Sequence, residues 1–514
     1  MAIEKIKDCL NEKKCFYLKA AAGSGKTYTL IQSLKYILEN KKELLKSKSI
    51  ACITYTNIAK KEISERIDFH EQIEVYTIHE FFWKLIKNYQ KELKKIIELK
   101  LDTDEKRDIF KNIKKIEYKE YKKYEKGIIS HNDILIISKE LFENYGNKLS
   151  KIVSSKYNYI FVDEYQDTDK KILDILCNKL SLTDTLIGLF GDPVQKIYRG
   201  ELYDIENHCN FVEIKKKENH RSGKKIVELL NKLREDINQE AKKDFLGNIK
   251  FYYNPKNVCI DTFLERDFDG ENLIERKKLY LVHRRIAKEN NYEEFFEILD
   301  REKQIEYFTD NSKNRENSLA NYLYLIEDCC YYFINDQAQK ILKALNYKIF
   351  RNEDKKILRE FFIQLIGMRE NKTIKEVIDF IKDKEVIESL DIDENNLKLY
   401  NIVEKLSYSN IINVHSIYKH ENKTIRTQHS TKGEEYESVE VCIIDKTDWN
   451  LYNFENYFLK KSDSNYERVK NLFYVACSRA QKNLIVNFSV DLSEEALNNI
   501  KVLFGEENFK ILNL

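Results

Sequence analysis

Short apolar runs alternate along this chain with longer stretches of helical period. Residues 16–18, 49–54, 159–162, 185–190, 279–283, 439–444 and 483–488 read as strands, and helical patterns separate nearly all of them. Strands that alternate with helices imply parallel sheets, with ligands bound at the strands' carboxyl ends. The runs fall into two sets, before about residue 211 and after about residue 280, so two α/β domains are expected. Two Lys/Glu/Leu/Ile-rich stretches, 84–151 and 290–420, keep helical periodicity with almost no glycine and read as one insertion in each domain. The expected organisation is a first domain from 1–84 and 151–212 around a helical insertion at 85–150. A second domain from 213–289 and 421–514 surrounds an insertion at 290–420.

Length supports more than one unit, since 514 residues exceed what a single core organises. Charge adds a constraint: 88 basic and 86 acidic residues leave a net charge of +2, which excludes capture of a polyanion by bulk charge and requires a local groove instead. The ten cysteines show no paired metal-ligand spacing, and Cys329 and Cys330 are neighbours, so reduced thiols in a cytoplasm are expected. The amino terminus alternates charge and no 18-residue apolar run follows, so neither secretion nor a membrane span is expected. With only 13 glycines and 2 prolines, each one answers a local need, and several fall inside the motifs below.

AAAGSGKT, from Ala20 to Thr27, follows an apolar strand and precedes a helical pattern. Small residues (Ala20, Ala21, Ala22, Gly23, Ser24, Gly25) let backbone N–H groups face phosphate oxygens, and a helix amino end supports them. Lys26 would reach the β and γ phosphates of ATP and Thr27 would ligate Mg²⁺. YIFV then runs into DEYQD, which places Asp163 and Glu164 side by side at a strand end. Asp163 would hold the metal through water while Glu164 polarises the attacking water. Charge shifting onto the transferred phosphoryl oxygens needs cations opposite the loop. Arg221 in NHRSGKK and Arg479 in FYVACSRAQ are candidates, and Gln195 in GDPVQKIY could sense the γ phosphate.

In order, AAAGSGKT, ITYTNIAKKEISERI, YTIHEFF, FVDEYQD, GDPVQKIY, NHRSGKK, HSTKGEEYE and FYVACSRA resemble the motif series of UvrD/Rep/PcrA-type superfamily 1 DNA helicases. The resemblance spans residue 20 to about 227 and 281 to 486. It implies two RecA-like parallel-sheet domains of the P-loop NTPase class that close on ATP and ratchet single-stranded or partly duplex DNA, 3′ to 5′. By the same resemblance Arg221 and Arg479 are arginine fingers from the second domain, His220 lies at the base and Glu435 faces the ribose. Tyr55, Asn57, Thr77, His79, Tyr198 and His429 take the DNA positions, where aromatic stacking tolerates any sequence.

Several positions depart from that pattern. No glutamine precedes the phosphate loop, and His220 stands where an adenine-stacking tyrosine is expected, which leaves ATP or GTP open. Tyr198 runs into Arg199-Gly200 without the usual tryptophan. Little chain follows Val486, so no fused nuclease domain is expected. The compact insertions and variant motifs suggest a second reading: a nucleotide- and DNA-sensing subunit in a larger complex that regulates a separate OLD-family nuclease, as in a Gabija-type antiphage system. A structural P-loop protein without turnover is disfavoured by the intact arginines.

Overall fold

The computed structural model describes every residue except 42–47, 120–121, 198–202, 207–209, 269–270, 272, 274, 315–316, 389, 391–393, 420–423, 429–430, 445–451 and 513–514. The chain divides into two compact units: Met1–Ile249 with Phe454–Lys482, and Lys250–Asn453 with Asn483–Leu514.

In the first unit, strands β1 (Cys15–Ala20), β2 (Ser49–Thr54), β3 (Ile73–Thr77), β4 (Tyr157–Asp163), β5 (Leu186–Gly191) and β6 (Phe211–Lys216) form one sheet in the order β3-β2-β4-β5-β1-β6. All neighbours run parallel. Alternate side chains explain why the central strands are apolar throughout. Phe16, Leu18, Cys52, Phe161 and Phe190 join one core, while Tyr17, Ile53, Val162 and Leu189 join another on the opposite face. Phe16, Phe161 and Phe190 meet edge to face, with centroids 5.4 to 5.9 Å apart.

Between β3 and β4 lie helices Ile78–Ile86, Gln90–Glu98, Asp104–Lys111 and the long His131–Lys156. The expected all-helical insertion also contains a small two-stranded parallel pair, Glu117–Tyr118 with Ile128–Ile129. Gly127 turns the chain between them at φ 71°.

The second unit's sheet takes β7 (Asn248–Tyr253), β8 (Lys277–Tyr280), β9 (Ile425–Thr427), β10 (Tyr436–Ile443), β11 (Ala480–Phe488) and β12 (Phe509–Ile511) in the order β9-β8-β10-β11-β7-β12. Helices between β8 and β9, including Ser318–Ile334, Asn352–Arg369, Ile374–Lys384 and Ser409–Tyr418, bury a continuous apolar cluster. Inside it the Arg369 guanidinium donates to Glu327 at 2.6 Å.

The two-sheet α/β class with helical insertions is the observed one. The strand expected over 279–283 stops at Tyr280 instead, and His283 opens a helix because Ile286 and Ala287 bury on a helical face. The gap expected between the strand sets is also occupied: β6 lines the edge of the first sheet and β7 belongs to the second. Residues 213–249 and 454–482 accordingly cluster with the first unit, where the sequence boundary stood at 212/213. Among the described residues no helix is long and apolar enough to cross a membrane.

Candidate active site

The carboxyl end of β1 feeds the loop directly into the Lys26–Asn40 helix. Gly23 and Gly25 both adopt φ 74°, a conformation glycine enters without cost. Gly23 is required for a second reason: a Cβ there would lie 2.8 Å from both Arg221 Cβ and Asn219 Oδ1. The NHRS segment therefore packs on the loop. His220 N donates to Gly23 O at 2.8 Å, and Asn219 Nδ2 donates to Ala22 O at 3.1 Å. Ala20, Ala21, Ala22 and Ser24 are buried, and Ser24 Oγ has no hydrogen-bond partner among the described residues.

Lys26 Nζ lies 2.6 Å from Glu164 Oε2. Burial pulls the ammonium's pKa down, but Glu164, Asp163 and Asp192 outweigh it and hold it raised. Glu164 itself has φ 53° and ψ 45°, a left-handed backbone unusual for a residue with a side chain. Its backbone N–H donates to Asp163 Oδ1 at 3.1 Å, and Gln166 Nε2 donates to its carboxylate. Asp163 is 4% exposed, and burial pushes its carboxyl up to about 7 against the pull of Lys26.

Gln195 donates through Nε2 to Asp192 Oδ2 at 2.8 Å and accepts from Arg479 Nη2 at 3.5 Å. Arg479 is 1% exposed, anchored by Nε donating to Val475 O at 2.9 Å and by Nη2 donating to Ser478 Oγ at 2.9 Å. Arg221 Nη1 donates to Ser478 O at 2.9 Å. The structure thus brings Lys26, Asp163, Glu164, Gln195, Arg221 and Arg479 into one unit around the loop, with Thr27 in the helix's first turn. Glu435 is exposed in the other unit.

Sequence reading missed the centre of this arrangement. Arg234 forks onto Asp192 with bonds of 3.0 and 3.1 Å, both side chains fully buried, and binds Asp236 at 2.8 and 3.0 Å. Its Nη1 also donates to Tyr474 OH at 2.8 Å, and that hydroxyl accepts from Ala22 N at 3.3 Å. Gln239 Nε2 donates to Ala22 O at 2.9 Å. Asp192 and Tyr474 stand inside GDPVQ and FYVACSRA and were findable there. Arg234, in a charged run KLRED, carried no signal.

Of the positions proposed for DNA, Tyr55 and Asn57 are exposed just past β2. The Thr77 hydroxyl accepts from Glu80 N at 3.3 Å, and Glu80 accepts from Thr77 N at 2.8 Å, a reciprocal cap on the Ile78–Ile86 helix. His79 stacks on His131 with centroids 3.4 Å apart. Tyr198 and His429 lie outside the described residues.

Residues 4–201 match a profile described as AAA domain, and 138–273 one described as viral superfamily 1 RNA helicase core domain. A Gabija protein GajB of Bacillus cereus is 28% identical over 98% of this chain and 97% of its own length, and another from that species is 25% identical over 91% of each. ATP-dependent DNA helicase PcrA of Staphylococcus epidermidis is 25% identical over 42% of this chain and 37% of its own. The chain is thus similar to Gabija GajB proteins along nearly its whole length and to UvrD/PcrA-type DNA helicases over part of it. These matches support an ATP-dependent, helicase-type enzyme.

Proposed function

We propose that this helicase-type enzyme uses ATP to move on single-stranded DNA, 3′ to 5′, and serves as the helicase-like subunit beside a separate nuclease in a Gabija-type antiphage complex. The observation that carries the motor reading is the Lys26–Glu164 ion pair beside the Gln195–Arg479 contact. An arrangement built only for folding would not need a strained acid, a buried arginine and a phosphate loop in one place.

In this reading the loop from Ala20 to Gly25 cradles the phosphates, with Ser24 Oγ and the helix amino end turned to them. When nucleotide enters, Lys26 exchanges Glu164 for the β and γ phosphates, and the released carboxylate orients the attacking water and accepts its proton. Arg479 and Arg221 spread positive charge over the transferring group, while Gln195 couples its position to Asp192. His220 lies toward the base. Thr27 and Asp163 would hold Mg²⁺, which when bound shields the phosphate charge. That ion suits one carboxylate plus phosphate oxygens, and Asp163 is a buried carboxylate that forms no ion pair among the described residues. Tyr55, Asn57, Thr77 and His79 would line the DNA path.

Similarity to GajB along nearly the whole chain, against less than half for PcrA, supports the antiphage reading. ATP hydrolysis measured with and without single-stranded DNA tests the motor. A rate indifferent to DNA would sink it. Affinity purification from the native host tests the complex, with a co-eluting nuclease expected.

A further inference from the structure

Lys216 ends β6, and its partner across the sheet is Ala20, where the phosphate loop begins. Its ammonium donates to Thr29 Oγ1 at 2.6 Å and would lie 3.9 Å from a Cβ on Gly25. The other lysines at this end of β1 are matched: Lys26 with Glu164 at 2.6 Å, and Lys19 with Glu206 and Asp236 at 3.1 and 3.2 Å. Lys216 has no carboxylate partner among the described residues, and burial lowers its pKa despite the pull of Glu218. A half-buried ammonium with no counter-ion is costly, and it stands beside the helix amino end that gathers phosphate.

Sheet order says which phosphate. Asp163 and Glu164 follow β4, two strands to one side of β1, and Lys26 reaches toward them. β6 flanks β1 on the other side. The reacting γ end therefore lies toward β4, and the nucleoside end lies toward β6.

We propose that Lys216 is a second lysine of the nucleotide site, binding the α phosphate of a nucleoside di- or triphosphate. This rests on the reading of the loop as a nucleotide site. The full-length chain carrying Lys216→Met, Lys216→Arg or Lys26→Ala is titrated with MgADP by calorimetry, and its hydrolysis of ATP and GTP is followed. Lys216→Met should weaken ADP about tenfold, the scale of one charge-assisted hydrogen bond. KM for ATP and for GTP should rise together, with the larger share of the loss in KM rather than kcat, and Lys216→Arg should recover most of it. A rise confined to one nucleotide would mean contact with the base and overturn the proposal. Lost ADP binding in Lys26→Ala with full affinity in Lys216→Met would leave the nucleotide site standing and remove Lys216 from it.

Discussion

Lys26 Nζ and Glu164 Oε2 sit 2.6 Å apart, so without nucleotide each charge is masked by the other. A phosphate chain competes for the lysine, and only then is the carboxylate available as a base. Glu164→Gln should therefore keep nucleotide binding while slowing hydrolysis by about 10²–10⁴, the usual contribution of a positioned base. Lys26→Ala should lose both. Phosphate release and ADP titration on the same preparations separate the two, and undiminished turnover in Glu164→Gln would remove it as the base.

Arg479 reaches Gln195 from a fully buried position just past the Tyr466–Cys477 helix, tied to that helix by the Val475 carbonyl. A guanidinium preorganised in this way costs no reordering when charge develops on the phosphoryl oxygens. Arg479→Lys retains charge but not the fork. It should lower kcat by orders of magnitude, toward the 10³–10⁵ scale of about one lost arginine finger. Single-turnover hydrolysis at saturating ATP checks this, and a rate equal to the parent's would displace the residue from the reaction.

What could be read from sequence were features whose chemistry needs contiguous residues. AAAGSGKT and FVDEYQD each hold a strand end and its reactive groups in one short run, so spacing alone placed Lys26, Asp163 and Glu164. Edge strands were harder: β3 (IEVYT) and β6 (FVEIKK) carry charges on their open sides and lose the continuous apolar pattern. Arg234 was illegible for another reason. Its meaning lies wholly in Asp192, Asp236 and Tyr474, which tertiary packing alone assembles.

That same burial gives Arg234 its predicted weight. Arg234→Met would strand Asp192, fully buried, and leave Tyr474 OH with only the longer bond from Ala22 N. Breaking one side of a buried pair costs about 3–5 kcal/mol. Denaturant unfolding followed by far-UV circular dichroism should show a lower midpoint for the first unit's transition. Tyr474→Phe, which keeps the ion pair, should lose far less. Equal losses would mean that the hydroxyl, rather than the Asp192 pair, holds this centre together.

His79 and His131 supply the pH dependence. Burial, with His131 adding to it, lowers His79 from 6.5 to about 4, while Asp169 pulls the other way, and burial lowers His131 as well. A histidine depressed in the fold favours its neutral form there. Stability present above pH 6.5 is thus drawn down as pH falls from 6.5 toward 4. His79→Phe keeps an aromatic on the His131 ring and removes one titration, so its melting temperature should fall less than the parent's between pH 7 and 5. An imidazole resonance for His79 with a midpoint near 6.5 would contradict the burial argument. A neutral ring also releases no counter-ion from DNA. If His79 contacts the strand, His79→Ala should therefore reduce single-stranded DNA affinity by about the 1–3 kcal/mol of one stacking contact. The dependence of log affinity on log salt should keep the parent's slope, and a shallower slope would show that the imidazole binds phosphate as a cation.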